Sequence, residues 1–90
     1  MPAPLDSSRP RLAAGCHWGK QGEDRVVLVP EGMIRLQGTG QSVLELCDGE
    51  RTLQEIVETL SSRYRTGTAK IREDVATFLE ALQQKRVVDY

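Results

Sequence analysis

The sequence predicts an α+β fold similar to a winged helix, in which a three-stranded antiparallel sheet is followed by three helices. Three short runs with strand patterns lie within residues 12–36, and a proline–glycine loop joins two of them. Three apolar stripes at helical spacing follow within residues 41–82. Strands that precede helices, rather than alternate with them, are typical of α+β domains. A chain of 90 residues provides one small domain, which buries roughly 60–65 % of its unfolded surface.

The composition excludes several classes of function. The net charge of −1 gives no basic excess of the kind that phosphate binding requires. The longest apolar run, residues 26–29, is too short to span a bilayer. The N-terminus lacks the basic-then-apolar pattern of a signal peptide. We therefore expect a cytoplasmic protein that binds neither nucleic acid nor membrane.

The first ten residues hold three of the chain's four prolines, together with two serines. Because proline removes backbone donors and small polar residues bury little surface, we predict a disordered tail over residues 1–10. Residues 11–90 are expected to form a single winged-helix-like domain.

The strands are predicted from alternation and turn chemistry. Residues 12–18 alternate larger and smaller side chains, which indicates a first strand. A polar turn over residues 19–24 leads to a second strand at residues 25–29, rich in β-branched side chains. Residues 30–32, Pro-Glu-Gly, predict a three-residue hairpin loop in which glycine supplies the left-handed conformation. The third strand returns over residues 33–36.

Capping signals delimit the first two helices. A Gly-Thr-Gly break precedes a first helix over residues 41–47, and Gly49 is suited to a left-handed cap after it. Thr52 and Glu55 match a capping box at the start of a second helix, which ends near Arg65. At the end of the chain, residues 87–88 form a short closing strand or an extended tail.

The third helix raises the alternative of a small winged-helix DNA-binding protein, because three helices and a sheet can form a helix-turn-helix reader. Thr68 is suited to cap this helix. Its charged side chains have mixed sign: Lys70, Arg72, Glu73, Asp74 and Glu80. Carboxylates on a helix in the major groove would lie close to phosphates, so the charge pattern disfavours this alternative.

No constellation of side chains indicates catalysis or metal binding. Cys16, His17 and Cys47 offer three ligands, whereas a structural zinc site needs four, usually as two close pairs. Cys16 and His17 cannot converge as nucleophile and base, since neighbours on a strand point to opposite faces. The Gly-Thr-Gly segment has no lysine at phosphate-loop spacing. We predict a protein that is not an enzyme and uses no cofactor or metal.

The predicted sheet has features of a docking surface. The second strand is apolar on both faces, whereas a sheet with helices on one side normally has one polar face. Either Trp18 or the C-terminal tail covers the second face, or a partner does. A third strand at the sheet edge has free amides and carbonyls that accept an added strand. An extended peptide or a second copy of the chain, as a homodimer, would fit there.

From about residue 11 to the end, the chain resembles the PqqD family. The most specific segment is Leu-Cys-Asp-Gly-Glu-Arg-Thr at residues 46–52. Gln37 departs from the pattern, in which asparagine is expected. The other matching positions are Pro30, Glu31, Gly32, Leu36, Val43, Leu44, Glu45, Glu55, Ile56, Val57, Tyr64, Ile71, Asp74, Val75, Phe78, Leu79, Leu82, Val87 and Val88.

The resemblance implies a non-catalytic peptide chaperone of pyrroloquinoline quinone (PQQ) biosynthesis. Such a recognition element for ribosomally made, modified peptides binds the leader of the precursor PqqA as a strand added beside its third strand. It then presents the precursor to the radical S-adenosylmethionine enzyme PqqE. The implied peptide-binding residues are Met33, Ile34, Arg35 and Leu36 on the strand, and Ile71, Arg72, Val75 and Leu79 on the third helix.

Overall fold

Five strands and three helices follow one another in the computed structural model, which describes residues 3–36 and 38–90. In chain order they are β1 (Arg11–Leu12), β2 (His17–Gln21), β3 (Asp24–Val29), β4 (Gly32–Arg35), α1 (Thr39–Glu45), α2 (Leu53–Tyr64), α3 (Thr68–Gln84) and β5 (Val88–Asp89). β2, β3 and β4 form an antiparallel sheet in that order, and β1 pairs with β5 in a second sheet. The predicted α+β fold, with a three-stranded sheet followed by three helices, is confirmed.

The first strand of the three-stranded sheet begins later than predicted. A turn interrupts residues 12–18: the Cys16 amide donates to the Ala13 carbonyl at 3.0 Å, and Gly15 has a φ of 86°. Leu12 therefore belongs to β1, and Trp18 belongs to β2. β2 then continues to residue 21, inside the segment predicted as a turn, so the prediction placed this strand too early.

The hairpin between β3 and β4 is tighter than predicted. Only Pro30 and Glu31 form the turn, and Gly32 is already the first residue of β4, paired with Val29. Glycine suits this position because its φ of 148° is rare for residues with a side chain. β4 therefore starts and ends one residue earlier than the predicted strand over residues 33–36.

The core lies between one face of the sheet and the predicted apolar stripes of α2 and α3. Val27 in the middle strand is 0 % exposed. The helices contribute Leu53, Ile56, Val57, Leu60, Ile71, Val75, Leu79 and Leu82, all buried. Full burial of each such side chain stabilises the fold by roughly 1.5–3 kcal/mol. This packing fixes the position of α3 relative to the sheet.

The helix ends agree only in part with the predictions. The capping box is confirmed: the Glu55 amide donates to Thr52 Oγ1 at 3.2 Å, and the Thr52 amide donates to Glu55 Oε1 at 2.9 Å. Thr68 was predicted as the cap of α3, but Gly67 occupies that position and no side chain caps the helix. α1 begins at residue 39, two residues before the prediction.

Within the described ranges, no helix has the length and hydropathy needed to cross a bilayer.

Groups within residues 6–10 hydrogen-bond to the start of α2 and to the loop before it, which differs from the disorder predicted for residues 1–10. Pro10 is fully buried. The Ser8 carbonyl accepts from the Leu53 amide at 2.8 Å, and the Asp6 carbonyl accepts from the next amide of α2 at 3.2 Å. Amides in the first turn of a helix have no intrahelical acceptor, so these contacts satisfy them. We call residues 5–10 the N-terminal strap.

Candidate functional site

β4 forms an open edge of the three-stranded sheet. The order β2-β3-β4 gives it a strand partner on one side only, among residues 3–36 and 38–90. Alternate residues of an antiparallel edge strand direct their N–H and C=O groups away from the sheet. β2 forms the opposite edge and lines neither of two nearby cavities: one is lined by the start of β4 and the residues that follow α3, and the other by α1, α2 and α3. The edge of β4 is therefore the candidate site.

The first of these, the turn-end cavity, has a volume of about 670 Å³ and opens beside the β3–β4 turn. It lies between the start of β4 and the residues that follow α3. Its lining consists of Ala14, Val29, Pro30, Glu31, Gly32, Met33, Ile34, Lys85, Arg86 and Val87. The wall combines apolar side chains with three charged ones, so it suits a segment that carries both kinds of group.

The second, the helix-end cavity, has a volume of about 240 Å³ and lies between the start of α1 and the middle of α3. Its lining, mainly apolar, consists of Thr39, Gly40, Val43, Leu60, Ile71, Asp74, Val75 and Phe78. A Cβ added at Gly40 would lie 3.3 Å from the Phe78 ring, so the missing side chain leaves this space open. We use the word groove for the β4 edge together with the turn-end cavity, which β4 lines, and the helix-end cavity, which it does not.

The predicted strand residues lie along this groove on alternating faces. Ile34 and Leu36 are half-buried and pack against the core. Met33 is 48 % exposed on the outer face of the sheet. Arg35, also on that face, donates from Nη2 to Gln21 Oε1 at 2.7 Å. Residue 37, where the sequence departs from the family pattern, lies outside the described residues.

Of the four helix residues predicted to contact the peptide, two line the groove and two do not. Ile71 and Val75 line the helix-end cavity, although both are mostly buried. Leu79 is 0 % exposed and lines neither end of the groove. Arg72 is ion-paired with Asp6 of the N-terminal strap. It also borders a separate cavity beside α2, so the structure does not bring it together with β4.

The lining residues that sequence reasoning did not propose as contacts include Gly40, Phe78, Lys85 and Arg86. Phe78 was assigned to the core stripe, but it is only half-buried. Lys85 and Arg86 follow the last helical turn, and two adjacent cations between an apolar stripe and a closing strand are a detectable signal. Gly40 carries no such signal, because its proximity to Phe78 depends on the tertiary packing of α1 against α3.

The outer face of the sheet is covered by neither element that the sequence suggested. Trp18 packs on the core side, and the C-terminal strand pairs with β1. Leu28 instead lies across Gly19, where an added Cβ would come within 2.9 Å of its side chain. Val26 on the same face is 0 % exposed, whereas Leu28 and Met33, which pair in register, remain partly exposed.

Polar contacts hold the sheet to α1, beside the helix-end cavity. The Arg25 guanidinium lies 3.9 Å from the Trp18 ring centroid, and its Nη1 donates to Glu45 Oε2 at 2.6 Å. Gln41 donates to the same carboxylate at 3.2 Å. The hydrogen bonds from Gln41 and Arg25 lower the pKa of Glu45, so this link is maintained at neutral pH.

The two thiols belong to the core rather than to a reactive site. Burial raises the pKa of Cys47 to about 12, and its Sγ donates to the Val43 carbonyl at 3.2 Å. Burial also raises the pKa of Cys16, with Glu31 and Asp89 adding to the effect. A protonated thiol is a poor nucleophile and metal ligand. Within the described ranges, no three metal-ligating side chains cluster.

Comparison with known proteins gives consistent results. The family model described as coenzyme PQQ synthesis protein D (PqqD) matches residues 24–88. A PqqA binding protein of Methylococcus capsulatus is 41 % identical over 64 residues, which cover 71 % of this chain and 67 % of the relative. A PqqA binding protein of Kluyvera intermedia is 39 % identical over 69 residues, which cover 76 % of this chain and 74 % of the relative.

A solved structure supports the same relationship across almost the whole chain. It is the solution structure of the PqqD truncation of Methylobacterium extorquens PqqCD, described as a functional and stand-alone recognition element for ribosomally synthesised, modified peptides. The TM-score is 0.80 and the identity 32 %, over 98 % of this chain and 96 % of that one. With a family match from β3 to β5, these similarities show that the chain belongs to the PqqD family.

Proposed function

We propose that this chain is a non-catalytic adaptor that binds the precursor peptide PqqA by strand addition at β4 and presents it to PqqE. The observation that supports this proposal best is the open edge of β4, whose first residues line the turn-end cavity. Relatives of the chain carry the name PqqA binding protein. Buried, protonated thiols and the absence of a ligand cluster among residues 3–36 and 38–90 agree with a binding role.

Strand addition explains how a short edge can hold a flexible peptide. Main-chain hydrogen bonds to the edge supply affinity, and the cavities fix the register through side chains. β4 has four residues, which corresponds to about 13 Å at roughly 3.3 Å per residue. The peptide segment in contact is therefore short. It also loses conformational entropy on docking, so we expect moderate affinity.

The proposed contacts on β4 and the residue after it are Met33, Ile34, Arg35 and Leu36. On the helix side, Ile71 and Val75 contribute the floor of the helix-end cavity. Leu79 supports the position of α3 from the core. Arg72 is engaged with the N-terminal strap, so we expect little contribution from it to peptide binding.

The same edge is open to a second copy of the chain. Unpaired strand edges associate with one another unless charge or shape prevents it. We therefore propose that a homodimer through β4 competes with the peptide at high protein concentration. The DNA-binding alternative gains no support, because both cations on α3 are paired: Lys70 with Asp74 and Arg72 with Asp6 of the N-terminal strap.

An isotope-labelled sample titrated with PqqA tests the proposal. Strand addition predicts amide shifts at residues 32–36, with smaller shifts at the lining residues of α3. Cross-saturation from unlabelled PqqE to the same labelled complex would detect presentation. Unchanged spectra at high peptide concentration would exclude peptide binding, and shifts confined to β2 would place it at the other edge.

A further inference from the structure

Arg86 ends α3 in a backbone conformation that glycine normally provides. Its φ is 61°, and it directly follows the helix C-cap Lys85. The next amide, of Val87, donates to the Leu82 carbonyl at 2.9 Å, which is the Schellman pattern of a helix end. A side chain is disfavoured in this left-handed region relative to glycine. The cation at residue 86 therefore comes at a cost to stability.

That side chain belongs to a pair of cations at the turn end of the groove. Lys85 and Arg86 are exposed, and both line the turn-end cavity together with Gly32 and Met33 of β4. Neither forms an ion pair within 4 Å in the part of the chain that the structure describes. Two cations without a neutralising partner beside a strand-accepting edge are suited to a negatively charged group of the guest.

Two carboxylates near this pair restrict where such a group would bind. Glu31 lines the same cavity from the β3–β4 turn. Asp89 and Arg86 both border a neighbouring cavity beside Ala13, again without an ion pair. A guest carboxylate is repelled from Glu31 and attracted to the opposite wall. The local charges therefore select a position as well as a sign.

We propose that Lys85 and Arg86 form a carboxylate-binding subsite at the turn end of the groove. The bound peptide then places an aspartate or glutamate side chain, or its own C-terminal carboxylate, beside the start of β4. A guanidinium is suited to this role because its donors bind a carboxylate in a bidentate manner. The inference rests on the proposed function, since it requires a peptide along β4.

The variant Arg86→Gly separates this role from any role in folding. Glycine fits a φ of 61° without strain, so the midpoint of thermal unfolding should stay the same or rise. The affinity for PqqA should fall about tenfold, because a charge-assisted hydrogen bond is lost.

Arg65→Gly is the matched control. Arg65 is exposed, caps α2 with a φ of 54° and lines neither cavity of the groove. This control removes the same charge and relieves the same backbone strain, and it should bind PqqA like the wild type.

Altered peptides identify the carboxylate. The set comprises PqqA peptides with each Asp or Glu changed singly to its amide, and one with an amidated C-terminus. We expect one of them to bind wild type about tenfold more weakly and Arg86→Gly with no further loss. A side-chain amide with this effect identifies an acidic residue, and the amidated peptide identifies the terminus.

The outcomes distinguish the two proposals. If wild type binds PqqA but Arg86→Gly binds as tightly as Arg65→Gly, the subsite is refuted and the proposed function stands. The subsite is also refuted if every amide substitution weakens both proteins equally. If wild type fails to bind PqqA, the proposed function is refuted, and the subsite with it.

Discussion

At the scale of single residues, backbone conformation and missing side chains shape the groove as much as side chains do. Gly32 allows the tight turn that begins β4. Gly40 leaves the space beside Phe78 that opens the helix-end cavity. Arg86 places a cation at a left-handed helix end. Each of these positions can be altered with little loss of core packing, so binding and stability can be measured separately.

Gly40→Ala should weaken peptide binding while leaving the fold stable. Alanine favours the helix by up to about 1 kcal/mol, which offsets the tight contact of its Cβ with Phe78 at 3.3 Å. The methyl group narrows the helix-end cavity, and a methyl-sized change in an apolar pocket costs about 1–3 kcal/mol of binding. Calorimetric titration with PqqA should show a loss of about tenfold.

Gly67→Ala is the control for that experiment. An added Cβ at Gly67 meets no atom within 4 Å, and this residue lies outside the groove. Its affinity for PqqA should equal that of the wild type. Equal affinities for all three proteins would show that the helix-end cavity takes no peptide side chain.

At the scale of elements, local patterns predicted the helices better than the strands. The stripes of α2 and α3 and the capping box of Thr52 and Glu55 depend on residues three or four apart, so the sequence displays them directly. The first strand was placed too early because the alternation of residues 12–18 continues through a turn at Gly15. The strand assignment depends on pairing with β3, which no local pattern contains.

In the candidate site, too, local sequence patterns predicted some residues correctly and could not place others. The edge position of β4 follows from the predicted strand order, and Ile71 and Val75 follow from the helical stripe. Arg72 could not be assigned to a face from the sequence, because its partner Asp6 lies in a segment predicted to be disordered. Contacts between residues distant in the chain decide which side chains reach the groove.

Ile34→Pro should reduce affinity for PqqA at least about tenfold, because proline removes an amide and restrains the edge strand. Helical content, measured by circular dichroism, should be largely retained, since the helices pack through their own stripes. Lys20→Pro places a proline at the opposite edge, in β2, and should leave affinity unchanged. The reverse pattern would assign peptide docking to β2.

The capping box of α2 predicts a specific pH dependence. Hydrogen bonds from the Thr52 amide and hydroxyl lower the pKa of Glu55 below its ordinary value of 4.5. A lowered folded-state pKa stabilises the protein above the unfolded pKa, and this contribution is lost as the pH falls through the folded value. Glu55→Gln should therefore unfold at a lower temperature than wild type at pH 7, and the difference should shrink as the pH falls below 4.5 and through the lower folded-state pKa.

A matched control for this pH effect lies on the same helix. Glu58 is exposed and lies outside the capping box, so Glu58→Gln should unfold at the same temperature as wild type at pH 7. A difference between Glu55→Gln and wild type that persists at low pH would show that the carboxylate charge is not the cause.

At the scale of the whole molecule, the two ends of the chain close the fold behind the groove. β1 pairs with β5, and the Ala13 amide donates to the Val87 carbonyl at 2.8 Å. The Gly49 amide donates to the Pro10 carbonyl at 2.9 Å, which connects the same segment to the loop before α2. Together these contacts hold the C-terminal end of α3, including Lys85 and Arg86, beside β4.

Deletion of residues 1–9 tests whether the N-terminal strap belongs to the fold. The deletion removes the carbonyls of Asp6 and Ser8 that accept from the first amides of α2. Two such hydrogen bonds contribute about 2 kcal/mol, so the melting temperature should fall by about 10 °C. Asp6→Asn, which weakens only the exposed ion pair with Arg72, should change stability by less than about 1 kcal/mol.

The affinity for PqqA, measured well below the melting temperature, should stay the same because the strap lies away from both cavities of the groove. An unchanged melting temperature would show that these residues are a dispensable tail, and a lost affinity would show that the strap also supports the binding edge.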